Sequence, residues 1–267
     1  MKKKTKQTKS ESVKEKKLSI KQRSVLASIF HIIFNIIVAV SSLVLLLLFP
    51  EAPWAAFLVV IASKFRIFAV KPRFWKANIL ASLTDLVFCL GIVVLIWLAG
   101  DVGAFWLQIV LTAVYIIWLI IIKPMTKQSA VAFQAAASQF VGIWALFAVA
   151  NHLTLPVVIL LSFGIGFSVA RHILIAHREN QLMLMSFVWG LFVAQLSFLA
   201  YHWSIAYEFF GTLKVSQFAI IITVIAFSIE RFYHNVQKNE GQIKTGNLIL
   251  PIIFSAALIA ILLIFFN

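Results

Sequence analysis

The chain has 267 residues, 62% of them hydrophobic and 12% charged, and a mean hydropathy of +1.00. Soluble domains run nearer half apolar and a quarter charged, so there is too little polar surface here to cover a water-soluble fold. The formal net charge of +14 first suggests a nucleic-acid binder, but ten of the basic residues crowd into residues 1–24 and most others lie in short segments between apolar runs. That distribution fits anionic lipid headgroups better than a phosphate backbone, so membrane lipids are the expected partners, with other membrane proteins possible and nucleic acid not expected.

In chain order, residues 1–24 are a Lys-rich polar tail with too few apolar side chains to order themselves, and a disordered cytoplasmic segment is expected. Val25–Phe49 follows as an unbroken run. It exceeds the roughly 7–15 residues of a signal-peptide core, and no A-x-A site follows, so it reads as a signal anchor and first span. A crossing needs about 20 apolar residues. On that measure residues 25–267 form a single transmembrane domain, an all-α polytopic helical bundle. Its nine spans are expected at about 25–49, 52–70, 78–99, 102–122, 129–150, 155–176, 181–203, 215–229 and 248–266.

Two of these segments are short. The second offers only Ala52–Ser63 before Lys64 and Arg66. Either it continues to Val70 with both cations snorkelling, or a short helix turns into an interfacial one. The eighth is expected to be completed by an earlier start within Tyr207–Leu213. Nine crossings place 22 of the 23 Lys and Arg on one side and leave Lys214 alone on the other. Cation-rich loops stay cytoplasmic, which sets the N-terminus inside and the C-terminus outside, in a multi-pass cell membrane protein of prokaryotic plasma-membrane type.

Ionisable groups inside a span are costly and therefore informative. Asp85, about two turns into the third span, is the deepest carboxylate. Depth alone offers it Arg66, His31 or Arg171 as partners. Two readings stand: an Asp85–Arg66 pair pinning adjacent helices, or a carboxylate that titrates during function. His31 and Asn35 share one face of the first span at i, i+4, and Gln134 and Ser138 share one on the fifth. If those faces converge, Asp85, His31, Asn35, Arg66, Gln134 and Arg171 form an intramembrane polar cluster. The basic-aromatic stretch after the second span supplies Lys64, Arg66, Lys71, Arg73, Trp75 and Lys76 as a surface for anionic lipid or a partner. Gly164/Ser168 and Gly166/Ala170 repeat small residues at i, i+4 in the sixth span, as close-packed helix contacts require.

Cys89 is the sole cysteine, which excludes an intrachain disulfide and a Cys-based cluster. His152, His202 and Glu208 fall near outer span ends, but no metal-site spacing occurs, and neither a metal nor a cofactor is expected. No Walker A, nucleophile elbow or metalloprotease helix is present. The reading favoured is a non-catalytic membrane subunit, assembly or scaffold protein whose basic cytoplasmic face binds anionic lipids or partners. A small permease or proton-coupled transporter using Asp85 is the alternative, and a membrane-embedded lipid-modifying enzyme is the third.

Overall fold

The computed structural model describes residues 28–203, 205–209, 213–239, 242 and 245–265; the tail 1–24 lies outside them. The helices are α1 (Ser28–Leu48), α2 (Trp54–Ala62), α3 (Trp75–Asp101), α4 (Phe105–Ile117), α5 (Gln128–Ala148), α6 (Leu155–Ala176), α7 (Leu182–Trp203), α8 (Gln217–Lys238) and α9 (Ile249–Phe265). Seven of them are long and apolar enough to cross a membrane: α1, α3, α4 with its terminal π turn, α5, α6, α7 and α8. The protein is an all-α membrane bundle carrying one two-stranded hairpin, β1 (Ala206–Phe209) and β2 (Leu213–Ser216), which pairs Ala206 with Ser216 and Phe209 with Leu213.

Burial is inverted relative to a soluble bundle. Large apolar side chains such as Phe30, Leu160 and Leu184 face outward at 60–69% exposure, while Ser42, Ser138, Ser162 and Gln139 are completely buried. An outer apolar shell this continuous needs hydrocarbon around it. Inside, α5 is the hub and touches α3, α6 and α8, and α6 lies along α7. Small residues set the closest approach between α6 and α7. A Cβ on Gly166 would meet the Val193 side chain at 2.8 Å, and one on Gly190 would sit 3.0 Å from the Phe163 carbonyl oxygen. Gly164, although it shares the i, i+4 spacing, faces open space.

The second segment is a broken element. Alpha-helical geometry ends at Ala62 after nine residues, about 13 Å of rise, and two 3-10 turns, Phe65–Ile67 and Pro72–Phe74, lead into α3. The structure takes neither expected form whole: the helix stops at Ala62, and two 3-10 turns stand where an interfacial helix was the alternative. The starts of α1 and α3 lie together, since Phe30 and His31 share a cavity with Asn78 and Ala81. At the far end Trp97 Nε1 donates to the Pro50 carbonyl at 2.9 Å. Helices α1 and α3 are therefore parallel, and residues 49–74 return the chain along the bundle between them.

The eighth segment differs from expectation in direction. It does not begin earlier: residues 206–209 and 213–216 are hairpin strands, and Trp144 Nε1 donates to the Lys214 carbonyl at 2.8 Å, tying β2 to α5. Helix α8 instead runs on past Ile229 to Lys238. The hydropathy of that extension is low because it is rich in polar residues, of which Glu230 and Asn235 turn inward and are buried. A three-residue link joins α3 to α4, and Gly103 makes it possible by adopting φ 73°, a conformation costly for any residue with a Cβ.

The α6–α7 contact yields a direct test. Gly190→Ala should lower unfolding stability in detergent by about 1–3 kcal/mol through overpacking. Gly164→Ala should be neutral or stabilising. Tryptophan fluorescence melts of the two variants check this, and equal melting would contradict the packing described.

Candidate functional site

The N-terminal ends of α1, α3 and α5, the C-terminal ends of α4 and α6 and the break after α2 enclose an open cavity of about 800 Å³. At its polar end lies Asp85, and the backbone around it is irregular on two sides. The turn after Ala62 projects Lys64 inward, where its ammonium bonds Asp85 Oδ2 and lies 3.7 Å from Cys89 Sγ. Across the cavity the last turn of α4 widens into a π turn, Trp118–Ile122, with Lys123 N–H bonding back to the Trp118 carbonyl. That widening places Lys123 Nζ 2.8 Å from Asp85 Oδ2 and Trp118 Nε1 3.1 Å from Oδ1. Cys89, one turn along α3, offers its thiol to Oδ1 at 3.5 Å.

One carboxylate thus meets two ammonium groups and an indole N–H. Lys64 and Asp85 are nearly buried, with side chains 11% and 16% exposed, whereas Lys123 is 34% exposed toward the cavity. The pair Lys64–Asp85 is neutral as a unit, so Lys123 leaves the cavity with one positive charge in excess. The Phe88 ring stacks on Trp118 with centroids 3.6 Å apart and planes 8° apart, and both are almost fully buried. This slab floors the cavity one turn beyond Asp85.

Two amides complete the lining. Gln134 Nε2 donates to the Ile122 and Met125 carbonyls at 2.6 and 3.0 Å, capping the open end of α4, while its Oε1 accepts from His172 Nε2 at 2.9 Å. Since Oε1 can only accept, His172 carries its proton on Nε2. Asn35 Nδ2 donates to His31 Nδ1 at 3.1 Å and to the Leu119 carbonyl at 3.3 Å. The Leu119 acceptor lies within the π turn. Phe30, Phe34 and Phe65 form the apolar wall opposite.

Of the expected cluster, Asp85, His31, Asn35 and Gln134 come together around this cavity. Arg171 does not: its Nη1 lies 3.2 Å from Met183 Sδ, on the α7 side, and His172 takes the place facing the cavity. The side chain of Arg66 lies outside the described residues. The cationic partners of Asp85 are Lys64 and Lys123 rather than His31 or Arg171. Lys123 was hidden because Pro124 marks it as a loop residue, and only the K-P punctuation directly after an apolar run hints that it caps α4. Lys64 leaves the expected lipid surface by turning inward, while Lys71, Arg73, Trp75 and Lys76 remain exposed. There Arg73 lies over the Phe74 ring at 4.6 Å, and Phe68 packs edge-on against Trp75 at 5.3 Å.

The fold and cavity define a multi-pass helical membrane protein with an amphipathic, net-cationic chamber at one end. No family model, curated protein or solved structure matches the chain, so its functional reading rests on its own residues.

Removing one partner of a buried pair strands the other charge. Asp85→Asn should destabilise the protein by about 3–5 kcal/mol, and Asp85→Asn combined with Lys64→Met should recover much of that loss. Lys123→Met alone, with its ammonium partly hydrated, should cost far less. Thermal melts of the three variants test the ordering, and an Asp85→Asn protein as stable as the parent would refute the pairing as a structural anchor.

Proposed function

We propose that the chain is a non-catalytic membrane protein that holds an anionic amphiphile, a lipid of the inner leaflet, in the Asp85 cavity. One observation carries this reading: a cavity of about 800 Å³ with a polar end bearing two lysines against one carboxylate, and a wall of Phe30, Phe34 and Phe65. The headgroup meets Lys123, with His172 and Asn78 alongside, and the acyl chain lies along the phenylalanines. The exposed Lys71, Arg73, Trp75 and Lys76 extend the same chemistry over the neighbouring surface, as a docking face for anionic headgroups or another membrane protein.

The topology proposed with it has the N-terminus cytoplasmic, the C-terminus outside and nine membrane segments in a prokaryotic plasma membrane. The segregation of 22 of 23 Lys and Arg supports it, as does the parallel run of α1 and α3, which requires residues 49–74 to traverse the bundle. In this scheme the second segment crosses as α2 plus turns, and α9, at 17 residues, spans about 25 Å.

A small permease with Asp85 as its coupling acid is the second reading, favoured by the broken α2 beside the cavity, since irregular backbone at membrane depth recurs at transport sites. The two separate experimentally. Under the binding reading, native mass spectrometry should show one phosphatidylglycerol retained in preference to phosphatidylcholine. Lys123→Ala should weaken retention about fivefold, near 1 kcal/mol. Proteoliposomes under a pH gradient should show no proton flux above empty vesicles. Flux that Asp85→Asn abolishes would replace the binding reading with the permease.

A further inference from the structure

A second polar centre lies at the same end of the bundle, between α6 and α8, and is independent of the anionic-lipid cavity. Its residues come from the part of α8 that runs beyond the apolar segment. Glu230 and His234 are one turn apart, at i and i+4, and so share a face. Facing them is His177, the residue that caps the C-terminus of α6. There the chain closes a Schellman turn, with Arg178 N–H bonding the Ile175 carbonyl and Glu179 N–H the Leu174 carbonyl. Arg178 occupies the left-handed position at φ 55°, where glycine is usual, so the turn holds His177 in place at some backbone cost. Glu179 fastens the turn to α8 by accepting the Tyr233 hydroxyl, which holds that carboxyl below its usual range.

One ligand atom from each of His177, Glu230 and His234 lies within 4.8 Å of the others, and His177 Nε2 is 3.9 Å from Glu230 Oε1. We propose that these three side chains bind a divalent transition-metal ion of the zinc type. Two imidazoles and one carboxylate are a donor set for that ion, and three protein ligands leave a fourth position for water or substrate.

Two observations point to a ligand rather than to simple packing. Glu230 is 7% exposed, and its Oε2 is buried with no hydrogen bond. The guanidinium nearest to that oxygen, Arg231 Nε at 3.5 Å, is itself drawn over the Phe227 ring and is 40% exposed, free to withdraw. Secondly, His177 is already oriented as a ligand. Gln237 Oε1 lies 2.5 Å from its Nδ1 and can only accept, which fixes the proton on Nδ1 and aims the Nε2 lone pair toward Glu230. Gln237 Nε2 also donates to the His177 carbonyl at 2.6 Å, locking the support. With Nδ1 protonated, the Gln128 amide nitrogen, itself a donor 2.8 Å from Nδ1, can bond only Nε2, at 3.3 Å, and that is the contact an arriving ion displaces. Glu230 also borders a cavity of about 470 Å³ with otherwise mostly apolar walls between α6, α7 and α8.

The full-length protein in detergent, stripped with chelator and retitrated, tests the site. One Zn²⁺ per chain should bind saturably and raise the melting temperature, and Co²⁺ should give the visible bands of a tetrahedral nitrogen/oxygen site. Glu230→Gln and His234→Ala should abolish both signals while melting like the parent without metal. Gln237→Leu should weaken binding ~10- to 100-fold through loss of ligand orientation. His152→Ala and His202→Ala, at the opposite end, should change nothing. Should a variant fail to fold, the Co²⁺ spectrum of the parent decides alone. A parent without saturable binding or Co²⁺ bands, or binding unchanged in Glu230→Gln and His234→Ala, overturns the proposal.

Discussion

The buried carboxylate of Asp85, bonded to Lys64 and Lys123, is the constraint around which this end of the bundle is arranged. In hydrocarbon it is untenable alone, and the helical cation nearest its level, Arg171 on α6, turns to Met183 on α7 instead. Both cations arrive through departures from regular helix. Ending α2 at Ala62 lets the turn carry Lys64 inward, and widening the last turn of α4 rotates Trp118 and Lys123 toward the carboxylate. A straight second helix continuing to Val70 would retain Lys64 on a helical face. The break is thus a consequence of the charge it serves.

Irregular backbone has its own cost in this setting, because hydrocarbon offers freed carbonyls no hydrogen-bond donor. The structure meets it with side-chain amides. Gln134 caps the carbonyls at the end of α4, and Asn35 caps Leu119 within the π turn. Each amide then spends its remaining capacity on a histidine, so that His172 and His31 are given defined tautomers as a by-product. Residues that look from sequence like isolated helix-bridging polar groups are, in this fold, the means by which the irregular turns around Asp85 are tolerated.

This explains which parts were legible in the amino-acid order. Apolar length is a one-dimensional property, and it located the long helices other than α8 to within a few residues, while polar groups within those runs singled out Asp85, His31, Asn35 and Gln134. The ion pairs were not legible, because they depend on where helices stop being helical. Lys64 and Lys123 both sit just past an apolar run, where a cation reads as a loop residue. Similarly, the extension of α8 lacks apolar signal because Glu230 and Asn235 face protein rather than lipid, and hydropathy cannot tell an inward polar face from a water-exposed one. Hairpin residues 206–209 and 213–216 had been expected to contribute to a span for the converse reason: Val215 and Leu213 are apolar and buried, but against α3 and α5 rather than lipid.

The position of the Phe88–Trp118 slab bears on whether the Asp85 cavity holds or conducts. Beyond it along α3 come Ile92, Val93, Leu95 and Ile96, all essentially inaccessible, and no polar side chain in that stretch continues the line of Asp85 and Thr84 toward the far end. A transported ion or polar solute would have to displace a stacked aromatic pair and then pass this close-packed layer of side chains. Under the binding reading an amphiphile entering from the side would need no such path, since its headgroup would stop at Lys123 and its chain would remain with Phe30, Phe34 and Phe65. The same slab that covers the ion pair therefore stands across the route that the permease reading requires.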